Sequence, residues 1–578
     1  MSRADKNSKA ANLPILPVPA AFGRLFTGPG VNVGKLEKYA VPLLFLCFAA
    51  SLSPWLYNFP LNDDWAYALA ARGFVQTGRL ALSDWGSSTQ VMHVLAGALV
   101  SKIFGFSFGA LRVLDVLTAA AGIFFFSRLL AELDTAPFER TLAALAVALS
   151  PLYLAAANSY MTEAPYFLWM SAALYFYVRA LKNGDAAGPL LAAGACAAAA
   201  YLTRQLAAAL PLAYTLELLR RGRPKARDLA LVWALPAAAM AGYYAWFRLT
   251  QGQTWASENY VAGATLAHLS SPLKFLGDTL YRLLASAVET GLLLLPLGAG
   301  FAFSVRRFSA KACPREGRLA AAAPWLALAA LGGFALFNGP LPYLENTLSR
   351  YGIGVLTVGG AALKPAGLFG SRFFWPAATA AGVLSAVLLV CSSGFTLRSG
   401  GPVLRFLFAA FGAQLALSML GAKYFDRYLL PTFLPWFAIA AAYAARGVKF
   451  SRPAAAGALA LCALLGWAGM KDYLAWNEAK WELAARPHYR LPADEIANGF
   501  DYEAWLSYER NMAYLKAMKP LKLIGEWEWK SINRYKAIVS FTPDPSLIIV
   551  DRQEYSTPLS SRKGVLYLLA AGRAAASR

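Results

Sequence analysis

Long apolar runs recur along most of the chain, and short polar stretches separate them. Each run is about 16 to 22 residues long, the length of a helix that crosses the hydrocarbon core of a bilayer. The runs are continuous rather than alternating, so they predict helices and not the strands of a membrane barrel. Of the 578 residues, 58% are hydrophobic and 15% are charged, which is more apolar surface than one soluble core could bury. The pattern predicts an all-α polytopic membrane bundle.

The charged residues indicate which loops face the cytoplasm. The chain carries a formal net charge of +22, and its lysines and arginines lie mostly in short loops between apolar runs. Cytoplasmic loops of membrane proteins are enriched in this way, so we take these loops as cytoplasmic and expect no nucleic-acid binding. The five cysteines are scattered without a CxxC pair, so neither a disulfide framework nor a zinc site is indicated.

Threading the chain between these loops predicts about thirteen transmembrane helices. Two apolar stretches are left out because counting them would put a basic loop on the wrong side. Residues 91–104 are predicted as an interfacial helix and residues 352–363 as part of an outer loop. The predicted spans lie near residues 39–58, 109–128, 140–158, 164–181, 187–203, 205–220, 229–248, 283–304, 319–338, 374–392, 404–421, 428–446 and 453–471.

An odd number of spans puts the two ends of the chain on opposite sides of the membrane. We expect a basic cytoplasmic tail over residues 1–38, a transmembrane domain over 39–471 with its first outer loop at 59–108, and an extracytoplasmic domain over 472–578. That last part is polar and then strand-like, which predicts a small α+β domain. Its strands are expected in LKLIGEWEW (521–529), YKAIVSF (535–541), SLIIVDRQEY (546–555) and GVLYLLAA (564–571). The predicted location is the inner (plasma) membrane.

Two adjacent carboxylates, Asp63 and Asp64, open the first outer loop in the stretch FPLNDDWAYA. Adjacent side chains diverge in a helix or a strand, so the two are not expected to share one proton. We expect one to face a cavity while the other caps or braces the helix predicted over WAYALAARGFV. The alternative is that both only cap that helix.

Further polar residues lie at the predicted outer ends of later spans. Glu163, in YMTEAP, begins the fourth span, so helix capping and ligand binding are both open. Arg204 divides two apolar runs, where it either snorkels or binds an anionic headgroup. The stretch KYFDRYLLP, residues 423–431, groups cations with tyrosines and predicts a phosphate clamp. The three histidines lack metal-ligand spacing.

The order of these motifs resembles the GT-C superfamily of polyprenyl-phosphate-dependent glycosyltransferases. The resemblance rests on NDDWAYA in the first outer loop, YMTEAP at the next outer turn, the late DRYLLP element and a C-terminal outer domain. The branch it resembles is the protein mannosyltransferase-like group that includes the aminoarabinose transferases. The family pattern Asp-Glu-x-x-Tyr falls on Asp63, Asp64 and Tyr67, with aspartate in place of glutamate at the second position.

The resemblance implies a sugar donor on a lipid phosphate and a hydroxyl acceptor on a lipid, glycan or protein. It implies Asp63 as the base that takes the acceptor proton, and a one-step displacement that inverts the anomeric carbon. The predicted site residues are Asp63, Asp64 and Glu163 as catalytic; Arg204, Lys423, Arg427 and Tyr428 on the donor phosphate; and Tyr67, Asp84 and His93 as acceptor-binding or structural. No cofactor is established at this stage, and the use of a divalent metal ion is left open.

The alternative from another class is a transporter or flippase of lipid-linked intermediates. Such a protein predicts charged residues or broken helices near the middle of the membrane, together with an internal repeat. None of these stands out in the sequence. A scaffold protein is less favoured still, because it would have no use for acidic and basic residues grouped on one face.

Overall fold

The computed structural model describes residues 33–222, 224–301, 317–358, 367–394, 401–443, 450–486, 491–558 and 563–571. Most of the predicted N-terminal tail lies outside these ranges. The described chain is mostly helical. Its helices are α1 Val33–Ala50, α2 Asp64–Thr77, α3 Val91–Phe104, α4 Phe108–Glu132, α5 Pro137–Ala148, α6 Pro151–Ala157, α7 Glu163–Lys182, α8 Ala187–Tyr201, α9 Ala209–Arg220, α10 Ala226–Trp246, α11 Thr265–Leu269, α12 Pro272–Leu293, α13 Leu295–Phe301, α14 Gly317–Asn338, α15 Phe374–Gly394, α16 Pro402–Leu420, α17 Leu429–Thr432, α18 Leu434–Tyr443, α19 Arg452–Ala485 and α20 Phe500–Met518.

Each of the thirteen predicted spans overlaps one of these helices or a consecutive pair. Within the described ranges, four single helices are long and apolar enough to cross a membrane. Two bent helix pairs also qualify, so the number rises to six if each pair forms one span. The chain is a multi-pass membrane protein, while the count of thirteen stays a prediction. The four long helices are Phe108–Glu132, Ala226–Gln251, Pro402–Leu420 and Arg452–Ala485.

A bend of 61° between α5 and α6 shows how the sequence interrupts a span. Ser150 Oγ accepts a hydrogen bond from the backbone N–H of Tyr153 at 3.2 Å, and Pro151 occupies the first helical position. A serine cap followed by proline starts a new helix and cannot continue the old one. The Tyr153 ring then packs edge-on against Phe167, with both rings fully buried in the bundle core.

The predicted first outer loop folds into two helices, α2 and α3. Helix α2 begins at Asp64 and ends at Thr77. The next residue, Gly78, has a φ of 69°, the left-handed conformation that glycine adopts at helix C-termini. The helical state predicted for residues 91–104 is confirmed as α3. The first predicted span was too long, because α1 ends at Ala50 and a 3₁₀ turn, Pro54–Leu56, follows.

The C-terminal part packs a four-stranded sheet against the end of the long helix α19. The strand order is β3 (Ile496–Ala497), β4 (Ala537–Ser540), β6 (Gly564–Ala570) and β5 (Ile548–Tyr555). Strands β3 and β4 are parallel, whereas the β4–β6 and β5–β6 pairs are antiparallel. Trp476 and Leu483 of α19 join the buried faces of these strands in one core. Two other short strands, β1 (Leu348–Ser349) and β2 (Gly352–Ile353), form a separate hairpin.

Two details of the C-terminal part differ from the prediction. The strand expected at 521–529 is wrong, because this segment forms 3₁₀ turns at Leu521–Leu523 and Glu528–Ile532. Pro520 and Gly525 bracket the first turn, and neither residue favours a regular strand there. Helix α19 runs without a break through the predicted domain boundary at residue 471.

Candidate active site

Four side chains from distant parts of the sequence form one chain of ion pairs. Arg427 Nη2 donates to Asp63 Oδ2 at 2.9 Å, and Arg427 Nε lies 3.4 Å from Glu163 Oε1. Arg204 Nη2 donates to the same Glu163 oxygen at 2.8 Å. Two carboxylates therefore meet two guanidiniums, and the group is close to electrically neutral. The structure thus brings together the predicted base Asp63, the predicted catalytic residue Glu163 and two of the predicted clamp residues.

All four side chains are placed by the ends of helices. Asp63 precedes α2, Glu163 opens α7, Arg204 follows α8, and Arg427 lies in a 3₁₀ turn just before α17. Asp63 occupies the N-cap position of α2, yet its side chain makes no capping hydrogen bond. Its carboxylate contacts Arg427 and Trp85 instead. Capping alone therefore does not account for Asp63.

Asp63 is the more accessible of the two paired carboxylates. Its side chain is 17% exposed, whereas that of Glu163 is 1% exposed. Trp85 Nε1 donates to Asp63 Oδ1 at 2.9 Å, so each oxygen accepts one hydrogen bond from the protein. A carboxylate oxygen has two lone pairs, so each one keeps a further acceptor position. Asp63 can meet a substrate, and Glu163 is placed to orient the two arginines.

The two arginines are held by aromatic and polar contacts. Arg204 Nε donates to Thr162 Oγ1 at 2.9 Å, and its guanidinium lies 4.8 Å from the Tyr428 ring centre. Arg427 is 8% exposed, and its Nη1 is buried without a hydrogen-bond partner among the described residues. An unpaired buried donor on a charged group is costly unless a ligand satisfies it.

Asp64 has a different environment from its neighbour Asp63. It is fully buried, and its two oxygens accept hydrogen bonds from the backbone N–H groups of Leu61, at 2.6 Å, and Tyr160, at 3.2 Å. Burial raises the pKa of this carboxyl to about 7, although the nearby Arg112 charge and the two hydrogen bonds oppose the shift. Asp64 thus braces the loop against the turn that presents Glu163, which favours a positioning role.

The raised pKa of Asp64 predicts a pH dependence of stability. Between about pH 4 and pH 7 the unfolded carboxyl is ionised while the folded one keeps its proton, so stability falls as the pH rises through this window. Below it both states are protonated, and above it both are ionised, so the contribution levels off. Thermal unfolding of the purified protein at several pH values measures this slope.

The variant Asp64→Asn is expected to flatten the slope, because an amide does not titrate. It lowers stability at every pH, since its NH₂ group would face a backbone N–H. Asp134→Asn is the matched control, because the Asp134 side chain is 78% exposed and its slope should stay that of the wild type. An unchanged slope in Asp64→Asn contradicts the prediction.

The remaining predicted site residues lie around this group rather than in it. Lys423 Nζ donates to Tyr260 Oη at 2.9 Å and contacts Glu526 at 2.7 Å, so its charge is already used. Asp84 pairs with Lys516. His93 is buried and stacks on Tyr160, while Tyr67 packs edge-on against His93.

One cavity adjoins the ion pairs, and a second cavity lies next to the first. The small one, about 30 Å³, is lined by Glu163 and Arg427 together with Asn62 and Ser159. The large one is an open cleft of about 820 Å³ whose wall includes tyrosines and both signs of charge. Val355 lines both cavities, which places them side by side. Side chains of the cleft wall include Tyr281, Tyr343, Glu345, Arg350, Tyr351 and Phe425.

The described residues form no ready-made set of three side-chain ligands for a metal ion. Within the ranges that the structure describes, no three histidine, cysteine, aspartate or glutamate side chains converge as metal ligands. The carboxylates of Asp63 and Glu163 each contact a guanidinium. The positive charge at this position is supplied by arginine.

Apolar helices and a charged site at their ends define a multi-pass membrane enzyme. Residues 90–255 match the family described as dolichyl-phosphate-mannose-protein mannosyltransferase. This match confirms the predicted resemblance to the protein mannosyltransferase-like group, and the chain is a glycosyltransferase. The matched range contains Glu163 and Arg204, while Asp63 and Arg427 lie outside it. Comparison with curated proteins finds no match.

Solved structures of three glycosyltransferases align with the chain at low identity. The Saccharomyces cerevisiae Pmt1–Pmt2 complex bound to the sugar donor is 14% identical over 40% of this chain and 36% of that chain, with a TM-score of 0.33. ArnT from Cupriavidus metallidurans bound to undecaprenyl phosphate is 13% identical over 93% and 98%, with a TM-score of 0.36. The oligosaccharyltransferase AglB from Archaeoglobus fulgidus, in complex with an inhibitory peptide and a dolichol-phosphate, is 14% identical over 88% and 70%, with a TM-score of 0.44.

Proposed function

We propose that this glycosyltransferase moves a sugar from a polyprenyl-phosphate donor to a hydroxyl acceptor on the outer face of the plasma membrane. The observation that carries the proposal is the contact of Asp63, Glu163 and Arg427 in one group beside an open cleft. The family match supports a lipid-phosphate donor, because the family is described by its dolichyl-phosphate-mannose substrate. In this orientation the N-terminus is cytoplasmic and the C-terminal part is extracytoplasmic.

Asp63 is the proposed base. An acceptor hydroxyl is a poor nucleophile at neutral pH, and a carboxylate that takes its proton as the new bond forms lowers the barrier. The free lone pairs of Asp63 can accept a hydrogen bond from that hydroxyl, while Arg427 and Trp85 fix the direction of the carboxylate. Its partial exposure leaves room for the hydroxyl to approach.

Arg427 and Arg204 are the proposed phosphate clamp. As the lipid phosphate leaves, its growing negative charge is stabilised by donors that already point at it. The buried Nη1 of Arg427 is such a donor, since no described residue satisfies it. Lys423, which the sequence also suggested, would first have to give up Glu526 and Tyr260.

The proposed reaction is a single displacement. The acceptor oxygen forms a bond to the anomeric carbon while the bond from that carbon to the phosphate oxygen breaks. The hydroxyl proton passes to Asp63, and the phosphate leaves with the bonding electrons. Attack from the face opposite the leaving group inverts the anomeric configuration. The large cleft, with tyrosines and arginine in its wall, has room for the sugar phosphate.

Sugar transfer from a labelled donor tests the proposal. Purified protein in lipid nanodiscs is supplied with a set of radiolabelled polyprenyl-phosphate sugars and with extracted envelope glycans, lipids and proteins as acceptors. We expect label to move from one donor to one acceptor class, and the product linkage, read by NMR, to be opposite in configuration to the donor. Failure of every donor contradicts the proposed function, and retention of configuration contradicts the single displacement.

A further inference from the structure

The Asp63 carboxylate lies at the edge of a cluster of aromatic rings that the proposed chemistry does not require. Trp85, which donates to Asp63, has its ring centre 5.6 Å from Trp527, 5.3 Å from Phe500 and 6.4 Å from Tyr260. We call Trp85, Tyr260, Phe500 and Trp527 the aromatic platform. Trp85 therefore contacts both the candidate base Asp63 and each of the other three rings.

Three separate segments contribute to the platform. Trp85 comes from the first outer loop, Tyr260 from the π-helical turn Ser257–Ala264, and Phe500 and Trp527 from the C-terminal part. Phe500 and Trp527 also contact each other, with ring centres 5.4 Å apart. The fold thus gathers rings from distant parts of the sequence at Asp63, the more accessible carboxylate of the ion-pair group.

An inner layer of rings already forms the hydrophobic core beneath the platform. Trp65, Trp255, Tyr508 and Trp529 are each no more than 3% exposed. The platform lies above them: Trp527 is 49% exposed, and the other three rings are partly buried. Trp85, Tyr260 and Phe500 pack on this core, while Trp527 keeps apolar ring surface in contact with water.

Charged groups hold the platform and surround it. Lys530 Nζ lies 5.2 Å from the Trp527 ring centre and 5.6 Å from that of Phe500, and this cation–π contact fixes both rings. Lys423 and Glu526 pair beside Tyr260. The surface therefore combines apolar rings, inclined at 46° to 85° to one another, with hydrogen-bonding groups at its edge.

We infer that the aromatic platform binds a pyranose ring of a carbohydrate acceptor and presents one of its hydroxyls to Asp63. A pyranose has an apolar face of C–H groups and a polar edge of hydroxyls. Aromatic rings with charged groups beside them can contact both parts. Binding of a peptide by strand addition needs a row of backbone hydrogen-bond partners, which aromatic rings do not supply. The inference rests on the proposed function and names the acceptor class as glycan.

Binding can be measured without turnover. The full chain is placed in phosphatidylcholine nanodiscs, because the headgroup of a maltoside detergent would itself compete for the platform. Saturation-transfer NMR is recorded with a set of methyl pyranosides and disaccharides, and with a blocked threonine-containing peptide. We expect transfer to the ring protons of at least one glycoside, and loss of one stacking ring in Trp527→Ala should reduce it about five- to tenfold.

Two variants separate stacking from misfolding. Trp527→Phe keeps an aromatic face and should retain most of the glycoside signal. Trp55→Ala removes a tryptophan of nearly equal exposure, 50%, outside the platform, and should leave the signal unchanged. Binding of the peptide but of no glycoside, or an equal glycoside signal in Trp527→Ala and wild type, overturns the inference.

The transfer assay separates this inference from the proposed function. If the wild type transfers sugar to protein acceptors and binds no glycoside, the function stands and the platform inference fails. If glycosides bind through Trp527 and no labelled donor yields product, the proposed function fails while the carbohydrate site remains.

Discussion

Replacing Asp63 by asparagine is expected to lower the rate of sugar transfer by about 10²- to 10⁴-fold, the usual contribution of a general base. The amide has nearly the same size but cannot accept a proton. Its NH₂ group would also face either Arg427 Nη2 or Trp85 Nε1, both of which are donors. The measurement is single-turnover transfer from the labelled donor at saturating acceptor.

Asp134→Asn is the control for this experiment, because it makes the same chemical change on an exposed side chain far from the site in sequence. It should transfer sugar at the wild-type rate. Thermal unfolding of both variants tests whether Asp63→Asn retains its fold. A folded Asp63→Asn protein with wild-type transfer would rule out Asp63 as the base.

Replacing Lys480 by methionine is expected to destabilise the C-terminal part by about 3–5 kcal/mol, as is typical when one partner of a buried ion pair is removed. Lys480 Nζ donates to both oxygens of Asp501 at 2.6 and 2.8 Å and to Thr357 Oγ1 at 3.0 Å. Both charged side chains are no more than 1% exposed. Methionine would leave the Asp501 carboxylate buried without a cation.

Proteolysis at increasing urea concentration measures this loss, because unfolding of the C-terminal part exposes cleavage sites. The double variant Lys480→Met/Asp501→Leu removes both charges, and it should recover most of the lost stability since apolar side chains can replace a buried pair. If the double variant is as unstable as the single one, the buried charge is not the cause. The pair joins α19 to α20, so its loss should also move Phe500, the first residue of α20.

The helical framework could be predicted from the sequence because apolar runs of bilayer length have few alternative structures. The ends of the helices were harder to predict. The run after Lys38 stays apolar past Ala50, yet α1 ends there and Ser53 adopts a left-handed conformation with φ of 53°. Strand β3 is only two residues long, and its pairing with β4 is a tertiary contact that no local pattern reports.

The charged part of the candidate site could also be predicted, because buried polar groups at helix ends are rare in a chain of this composition. Asp63 and Arg427 are 364 residues apart, and only their common position at the predicted outer face suggested that they meet. Trp85 was missed, since a tryptophan in an outer loop is typical of a membrane interface. The contacts of Lys423 with Tyr260 and Glu526 could not be predicted, because these partners come from distant segments.

Helix α19 bears on how substrates reach the site. Its 34 residues span about 51 Å at 1.5 Å per residue, which exceeds the roughly 30 Å hydrocarbon core of a bilayer by several turns. The projecting turns carry Trp476, Lys480 and Leu483 into the core of the C-terminal part. No loop interrupts Arg452–Ala485, so this helix offers no hinge between its membrane-length part and the turns that pack in the C-terminal part. In the proposed orientation, we expect the acceptor to reach Asp63 past the exposed Trp527 ring.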